Sequence, residues 1–305
     1  MKSKYLIVIG GTTAVGKTAL AIELAKIFDT EVLSADSRQF YKLMDIGTAK
    51  PTPDEQRIVK HHFIDNQDFR DLYSVGNFEK EAIETLTDIY KNKDVAILVG
   101  GSGLYIKAVC EGLDEFPDVS ETLKNEVRSN YEKNGLEWLQ TQVRTFDPQA
   151  FSDVDQQNPN RLLRVLEVCM ASNAPYSSFK AQNAHKRPFE IIEILLEIDR
   201  PTLYHRINTR VDAMFENGLL NEAKGFYPFR HHNALQTVGY QELFSYFDGD
   251  TTIEYATELI KQHTRNFAKR QVTWFKKYGN WTRFLPTQLD EIRLFVENKI
   301  KHHNY

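Results

Sequence analysis

Short apolar runs separated by polar, helix-periodic stretches set the rhythm of this chain. YLIVI (5–9), EVL (31–33), VAILV (95–99) and IIEILLEI (191–198) each end at glycine, serine or a charge. Runs of this length with little alternation read as strands of a parallel sheet covered on both faces. Between them the period changes. In ALAIELAKIF (19–28) Leu20, Leu24 and Ile27 fall on one helical face, and in 199–219 Leu203, Ile207, Val211 and Met214 do the same. Strands alternating with helices predict an α/β fold, with a mainly parallel sheet and helices on both faces. The rhythm breaks between residues 116 and 184, where polar helical segments such as ETLKNEVRSNYEKNG and NRLLRVLEVCMAS are interrupted at Asp147-Pro148 and Asn158-Pro159. An all-helical insertion, 116–184, is therefore expected inside a core made of 1–115 and 185–305, the last part finishing in helices. No stretch repeats and none is of low complexity.

Composition changes this picture little. Apolar residues make up 41% and charged residues 26% of 305, enough for a packed core with a solvated surface. The apolar runs are too short to cross a bilayer, and the first residues, MKSKYLIVIGG, lack a signal-peptide core of adequate length. A cytoplasmic protein with no membrane contact is expected, its two cysteines, Cys110 and Cys169, being reduced core thiols. The nine histidines show no zinc spacing. The adjacent pairs His61-His62, His231-His232 and His302-His303 read as structural polar residues.

Charge adds one local feature. The net charge of −4 argues against a generally basic nucleic-acid binder. Yet residues 257–283 carry seven bases against one acid, Glu258, with Lys261, Arg265 and Lys269 at every fourth position. A charged helical stripe of this kind suits a phosphate backbone. The interleaved Phe267, Trp274, Phe275, Tyr278 and Trp281 read as core.

The strongest motif follows the first strand. Gly11-Thr12-Thr13-Ala14-Val15-Gly16-Lys17-Thr18 matches G-x-x-x-x-G-K-[ST] in full, between a strand and a helix as a P-loop requires. Its glycines let backbone N–H groups converge on an anion, and the helix N-terminus adds its positive end. Lys17 supplies a point charge and the Thr18 hydroxyl a ligand for Mg²⁺. The core is then P-loop NTPase-like, and the site takes a di- or triphosphate.

Beyond the loop the chain reads SADSRQFYKLMDIGTAKP (34–51), HHFID (61–65), YSVGNFEKEA (73–82), LVGGSGLYIKA (98–108), NPNRLLRVLEV (158–168), QTVGYQEL (236–243) and AKRQVTWFKK (268–277). In this order and spacing these strings closely resemble the tRNA dimethylallyltransferases, also called tRNA isopentenyltransferases, over residues 5–285. The resemblance implies transfer of a dimethylallyl group from its diphosphate to N6 of the adenosine 3′ of the anticodon, position 37, with release of diphosphate. It also implies that the P-loop holds the prenyl diphosphate, although such loops are often labelled ATP-binding. The helical insertion would grip the anticodon stem-loop, with Asn160, Arg161, Leu162, Leu163 and Arg164 on the matching motif. Thr12 stands where the family usually has proline, Ser102 where it has threonine, and Lys124 where arginine is common, keeping charge but not the bidentate fork. The tail, KHHNY, has no cysteine nearby, so no C-terminal zinc finger is expected. A monomer with no obligate protein partner is expected.

That chemistry assigns roles. Lys17, Thr18 with Mg²⁺ and the loop amides neutralise the leaving diphosphate on one side. Arg206 and Arg210, four apart on one helical face, are candidates for the other, with Arg210 preferred; the alternative is a solvated face paired with Asp212 or Glu216. Asp36, just past the second strand, is the candidate base for the adenine amine; its alternatives are a ligand for a magnesium-bound water or a helix cap. Ser37, Arg38 and Gln39 are candidates for the adenosine and its neighbours, Gln39 through a bidentate pairing with the N6/N7 edge. Ser102 can reach RNA or phosphate, or simply shape a strand–helix turn. Lys269 and Arg270 join the tRNA-binding set. The adenine must leave its stack to reach Asp36. A small-molecule or nucleoside kinase and an RNA-binding nucleotide switch are the rival readings. The first leaves the basic stripe unexplained, and the second has no need of Asp36.

Overall fold

The computed structural model describes residues 3–180 and 186–302. The chain divides into two compact units, Met1–Glu111 with Arg187–Tyr305, and Gly112–Lys186. The first unit opens with β1 (Tyr5–Gly11), α1 (Lys17–Ile27), β2 (Val32–Ser34), α2 (Pro53–Ile58), β3 (His61–His62), α3 (Val75–Ile89), β4 (Val95–Val99) and α4 (Gly103–Glu111). The second contains α5 (Glu121–Phe146), α6 (Pro148–Asp153) and α7 (Pro159–Ser172). The first resumes with β5 (Glu190–Leu196), α8 (Arg200–Glu216), α9 (Leu219–Phe226), α10 (Tyr240–Phe247), α11 (Ile253–Lys277), β6 (Thr282–Phe284) and α12 (Leu289–His302). The expected boundary at residue 184, His303 and the side chain of His302 lie outside the described residues.

The six strands form one sheet in the order β3-β2-β4-β1-β5-β6, every pairing parallel. Ile9 pairs with Val99 and Ile194, and Ser34 also pairs with Val99. The carboxyl ends of β1, β2 and β4 therefore finish level, and the three loops that leave them open on one edge, where α/β sheets place their sites. Successive β1 residues point to opposite faces. Tyr5, Ile7 and Ile9 pack with Leu20 and Leu24 of α1 and Ile292 and Val296 of α12. Leu6 and Val8 pack in the other core, with residues of α3, α4 and α9 to α11. Ile27, expected on the buried face of α1, is 40% exposed; Ile22, at 5%, is buried instead. The strands β3 and β6 are two and three residues long, too short to leave an apolar run in the sequence.

On the site side, Leu203 and Ile207 of α8 cluster with Ala268 of α11 and the P-loop residue Ala14. That contact lays α8 along the P-loop. In the second unit both proline breaks become helix starts. Asp147 Oδ1 accepts the Ala150 N–H at 2.9 Å, and Asn158 Oδ1 accepts that of Arg161 at 3.3 Å, each with proline at the first helical position. Val127, Leu139, Val143, Phe151 and Leu166 form this unit's own core.

Candidate active site

The P-loop is shaped to receive an anion. Gly16 has φ 111°, a left-handed backbone that glycine adopts freely, and Ala14 takes the same region at φ 62° despite its Cβ. No side chain caps α1, and the N–H groups of Gly16, Lys17 and Thr18 have no acceptor among the described residues. Lys17 Nζ meanwhile donates to Thr12 O at 2.7 Å. Burial pushes the Lys17 pKa down to about 8; the Asp36 carboxylate pulls it up and the Arg210 guanidinium pushes it down. These three charges, contributed by separate segments of the chain, therefore act on one point.

Helix α8 brings two arginines to the loop. Arg210 Nη1 donates to Thr13 Oγ1 at 3.2 Å, and Arg206 Nη1 donates to Val15 O at 3.2 Å. Arg210 is half-buried; burial lowers its pKa and Asp36 opposes that shift. The solvated-face alternative fails for Arg210, because its guanidinium is turned to the P-loop and not to Asp212 or Glu216. Thr13 differs from expectation as well. Its N–H is donated to Gln271 Oε1 at 2.8 Å and is not offered to an anion.

Asp36 sits in the loop after β2. The Ala35 N–H bonds Val99 O at 2.7 Å, and the Ser37 N–H bonds Ser102 Oγ at 3.0 Å, so β4 and its loop clamp Asp36 from both sides. Asp36 Oδ1 accepts the Arg38 N–H at 2.9 Å, and Oδ2 has no partner among the described residues. Gln39 is otherwise engaged. Its Oε1 accepts from Ser34 Oγ at 3.0 Å, and its Nε2 donates to Ala49 O at 3.1 Å. Gln39 lines the cavity while its amide fastens the 45–50 loop, so a bidentate pairing with an adenine edge would require these bonds to be exchanged. The same loop is held from below by Glu222, which accepts the N–H groups of Asp45, Ile46 and Gly47 at 3.0, 2.8 and 2.9 Å and the Tyr240 hydroxyl at 2.7 Å.

The three loops enclose a cavity of about 650 Å³, which Lys17, Thr18, Asp36, Ser102 and Arg210 all line. Gln236 to Gly239 form another part of its wall, as do Phe267, Arg270 and Gln271 from α11. His61 lines it too. Its Nδ1 lies 2.8 Å from Val59 O, and a carbonyl can only accept, so Nδ1 carries the proton; buried Nε2 is left an acceptor without a partner among the described residues. Burial holds the His61 pKa below its usual value. His61 thus contributes to the cavity wall while its Nε2 stays buried.

The basic stripe is divided. Lys261 is bound to Asp212 at 2.8 Å and Glu258 at 3.2 Å, and Arg265 Nη1 donates to Asn208 at 2.7 Å, so both face α8. Lys269 and Arg270, further along, are exposed. Phe275 is buried and Trp274 and Trp281 pack on the core as expected, whereas Phe267 is 37% exposed at the cavity with the Arg270 guanidinium 5.7 Å from its ring. In the second unit Asn160 and Arg161 are exposed, Lys124 pairs with Glu121 at 2.6 Å, and Arg164 lies over the Phe116 ring at 5.7 Å. Leu162 and Leu163, placed by resemblance among the RNA contacts, are 0% and 5% exposed in that unit's core. They hold the helix that carries Asn160, Arg161 and Arg164 and cannot themselves reach RNA.

No group of three or more His, Cys, Asp or Glu among the described residues could hold a metal. Nor is any described helix long and apolar enough to cross a membrane.

Comparison with known proteins identifies the family. A family model described as IPP transferase matches residues 39–278. The tRNA dimethylallyltransferase of Flavobacterium johnsoniae is 48% identical over 97% of this chain and 98% of its own length. The tRNA isopentenylpyrophosphate transferase of Bacillus halodurans superposes with a TM-score of 0.73 at 36% identity, covering 99% of this chain and 98% of that one. A eukaryotic dimethylallyltransferase described as acting on tRNA superposes with a TM-score of 0.79 at 26% identity, covering 94% and 75%. With a match across most of the chain, a shared fold and a phosphate loop facing a carboxylate, this chain belongs to the IPP transferase family.

Proposed function

We propose that the protein transfers a dimethylallyl group from dimethylallyl diphosphate to N6 of adenosine 37 in tRNA, releasing diphosphate. The observation that carries this reading is the meeting of Lys17, Arg210 and Asp36 in one cavity. A phosphate grip alone would serve a kinase. A carboxylate with one oxygen unengaged by the described residues, beside that grip, serves attack by a weak amine nucleophile.

In the transfer, the N6 lone pair forms the new bond to the allylic carbon as the carbon–oxygen bond to diphosphate breaks. The free loop amides, Lys17 and Arg210 take up the charge that accumulates on the departing oxygens. Arg210 already reaches Thr13 Oγ1, and Arg206 caps the loop from outside. Asp36 Oδ2 accepts the N6 proton while its Oδ1 stays fixed to Arg38. The Thr18 hydroxyl has no partner among the described residues and Thr18 lines the cavity, so this residue would help hold Mg²⁺ beside the diphosphate. Bound there, the ion would add positive charge to the leaving group. Ser37, Arg38, Ser102, Lys124, Asn160, Arg161, Arg164, Lys269 and Arg270 form the tRNA-contacting set in this reading. The 650 Å³ cavity suits a flipped base together with a five-carbon chain.

Labelled dimethylallyl diphosphate incubated with unmodified tRNA tests the proposal. Label appearing in tRNA supports it; consumption of ATP without label transfer would restore the kinase.

The lowered Lys17 pKa adds a pH prediction. In the empty site Lys17 loses its proton near pH 8, below the usual 10.5. Diphosphate favours the charged form, so binding raises that pKa again. Above pH 8 binding of dimethylallyl diphosphate, an ester already fully ionised there, must therefore take up a proton, and its affinity should fall as pH rises. Calorimetry at pH 8.5 in buffers of different ionisation enthalpy should reveal this uptake; a buffer-independent heat would contradict it.

A further inference from the structure

We infer that Gln271 is a positioning residue that locks the diphosphate cradle to the loop carrying Ser102, and through it to Asp36; the inference rests on the transferase reading. Gln271 belongs to α11 but is 6% exposed, turned away from the solvent-facing Lys269 and Arg270. Its amide is used at both ends. Oε1 accepts the Thr13 N–H at 2.8 Å, and Nε2 donates to Gly101 O at 3.0 Å. A Cβ on residue 101 would stand 2.2 Å from Gln271 Nε2, so only glycine admits this contact.

The bridge continues on both sides. The hydroxyl of Thr13 accepts from Arg210. Next to Gly101, the Ser102 hydroxyl accepts the Ser37 N–H, whose neighbour Asp36 is fastened to Arg38. One neutral side chain thus joins the loop that binds phosphate to the loop that sets the height of the base. A neutral amide is required at this point. An acid would place negative charge against the diphosphate, and a base could not accept from Thr13. The element that delivers Gln271 also exposes Lys269 and Arg270, so the same helix that meets RNA holds the reacting groups in register.

Gln271→Met keeps the volume and removes both hydrogen bonds. It is expected to lower kcat by about 10²-fold, as small misplacements of reacting groups do, while KM for tRNA stays unchanged. Gln271→Glu keeps the acceptor for Thr13 but loses the donor to Gly101 O and adds charge, so it should share the fall in kcat and also raise KM for dimethylallyl diphosphate. Gly101→Ala displaces the same amide and should reproduce the Gln271→Met loss, the double variant being no worse than either single one. A role in stability alone predicts a lower Tm with wild-type kcat per folded molecule and unchanged KM values, and that result overturns the inference. Losses that multiply in the double variant also overturn it. Pyrophosphate binding, measured without tRNA, separates this inference from the function it rests on. If wild type transfers no label, the functional reading fails. Weaker pyrophosphate binding by Gln271→Met then still supports the lock, and equal binding removes it.

Discussion

Asp36→Asn is expected to fold, to bind tRNA as tightly as wild type and to transfer dimethylallyl about 10²–10⁴-fold more slowly, the usual worth of a positioned base. The substitution is isosteric. The carbonyl of the introduced amide can still accept the Arg38 N–H now held by Oδ1, and the clamps from Val99 and Ser102 act on neighbouring backbone and hydroxyl groups that it leaves alone. What it removes is the basic Oδ2 and its charge. The loss should appear in kcat in single-turnover assays, with the dissociation constant of tRNA unchanged. Near-wild-type turnover would show that the N6 proton leaves by another route, and Asp36 would revert to a scaffold role. Asp36 also favours the charged forms of Lys17 and Arg210, so a modest weakening of diphosphate binding should accompany the slower chemistry.

Much of this site could be read along the chain because its parts are local. The P-loop is a contiguous string between a strand and a helix, and Asp36 follows a strand that the pattern already suggested. The runs YLIVI and VAILV became β1 and β4 because both faces of the sheet are covered, which leaves no polar alternation to blur them. What stayed hidden depends on distant contacts. Gln271 and Glu222 lie in helix-periodic stretches where a polar residue reads as solvent-facing. Their partners are far away in sequence, 258 and 170 residues for Gln271 and 175 for Glu222 to Gly47. Periodicity placed Lys261 and Arg265 on one stripe with Lys269, but it could not say that the stripe turns toward α8 along half its length. Leu162 and Leu163 illustrate the opposite error. A motif carried over as a block includes the residues that hold it in place, and only burial separates these from the ones that touch a ligand.

Lys17→Met should cost about 10²–10³-fold in kcat/KM, the scale seen when one preorganised charge or donor to a developing anion is lost. The argument turns on where Lys17 rests without ligand. Its ammonium is bound to the carbonyl of Thr12 in its own loop and is held short of its usual basicity by burial, so a half-buried cation is kept in place before any phosphate arrives. Methionine fills the same space with no charge and leaves the loop backbone free to keep its shape. The Gly16, Lys17 and Thr18 amides and Arg210 remain, so residual transfer is expected, not silence. The deficit should fall mainly on dimethylallyl diphosphate, with tRNA affinity intact, because Lys17 serves the leaving group and not the nucleophile. The pH signature must vanish with it. If proton uptake at pH 8.5 belongs to Lys17, binding of dimethylallyl diphosphate by Lys17→Met will take up no proton from that source, and its heat will no longer depend on the buffer. A variant that kept both the affinity and the uptake would place the titrating group elsewhere and transfer the main burden of charge neutralisation to Arg210.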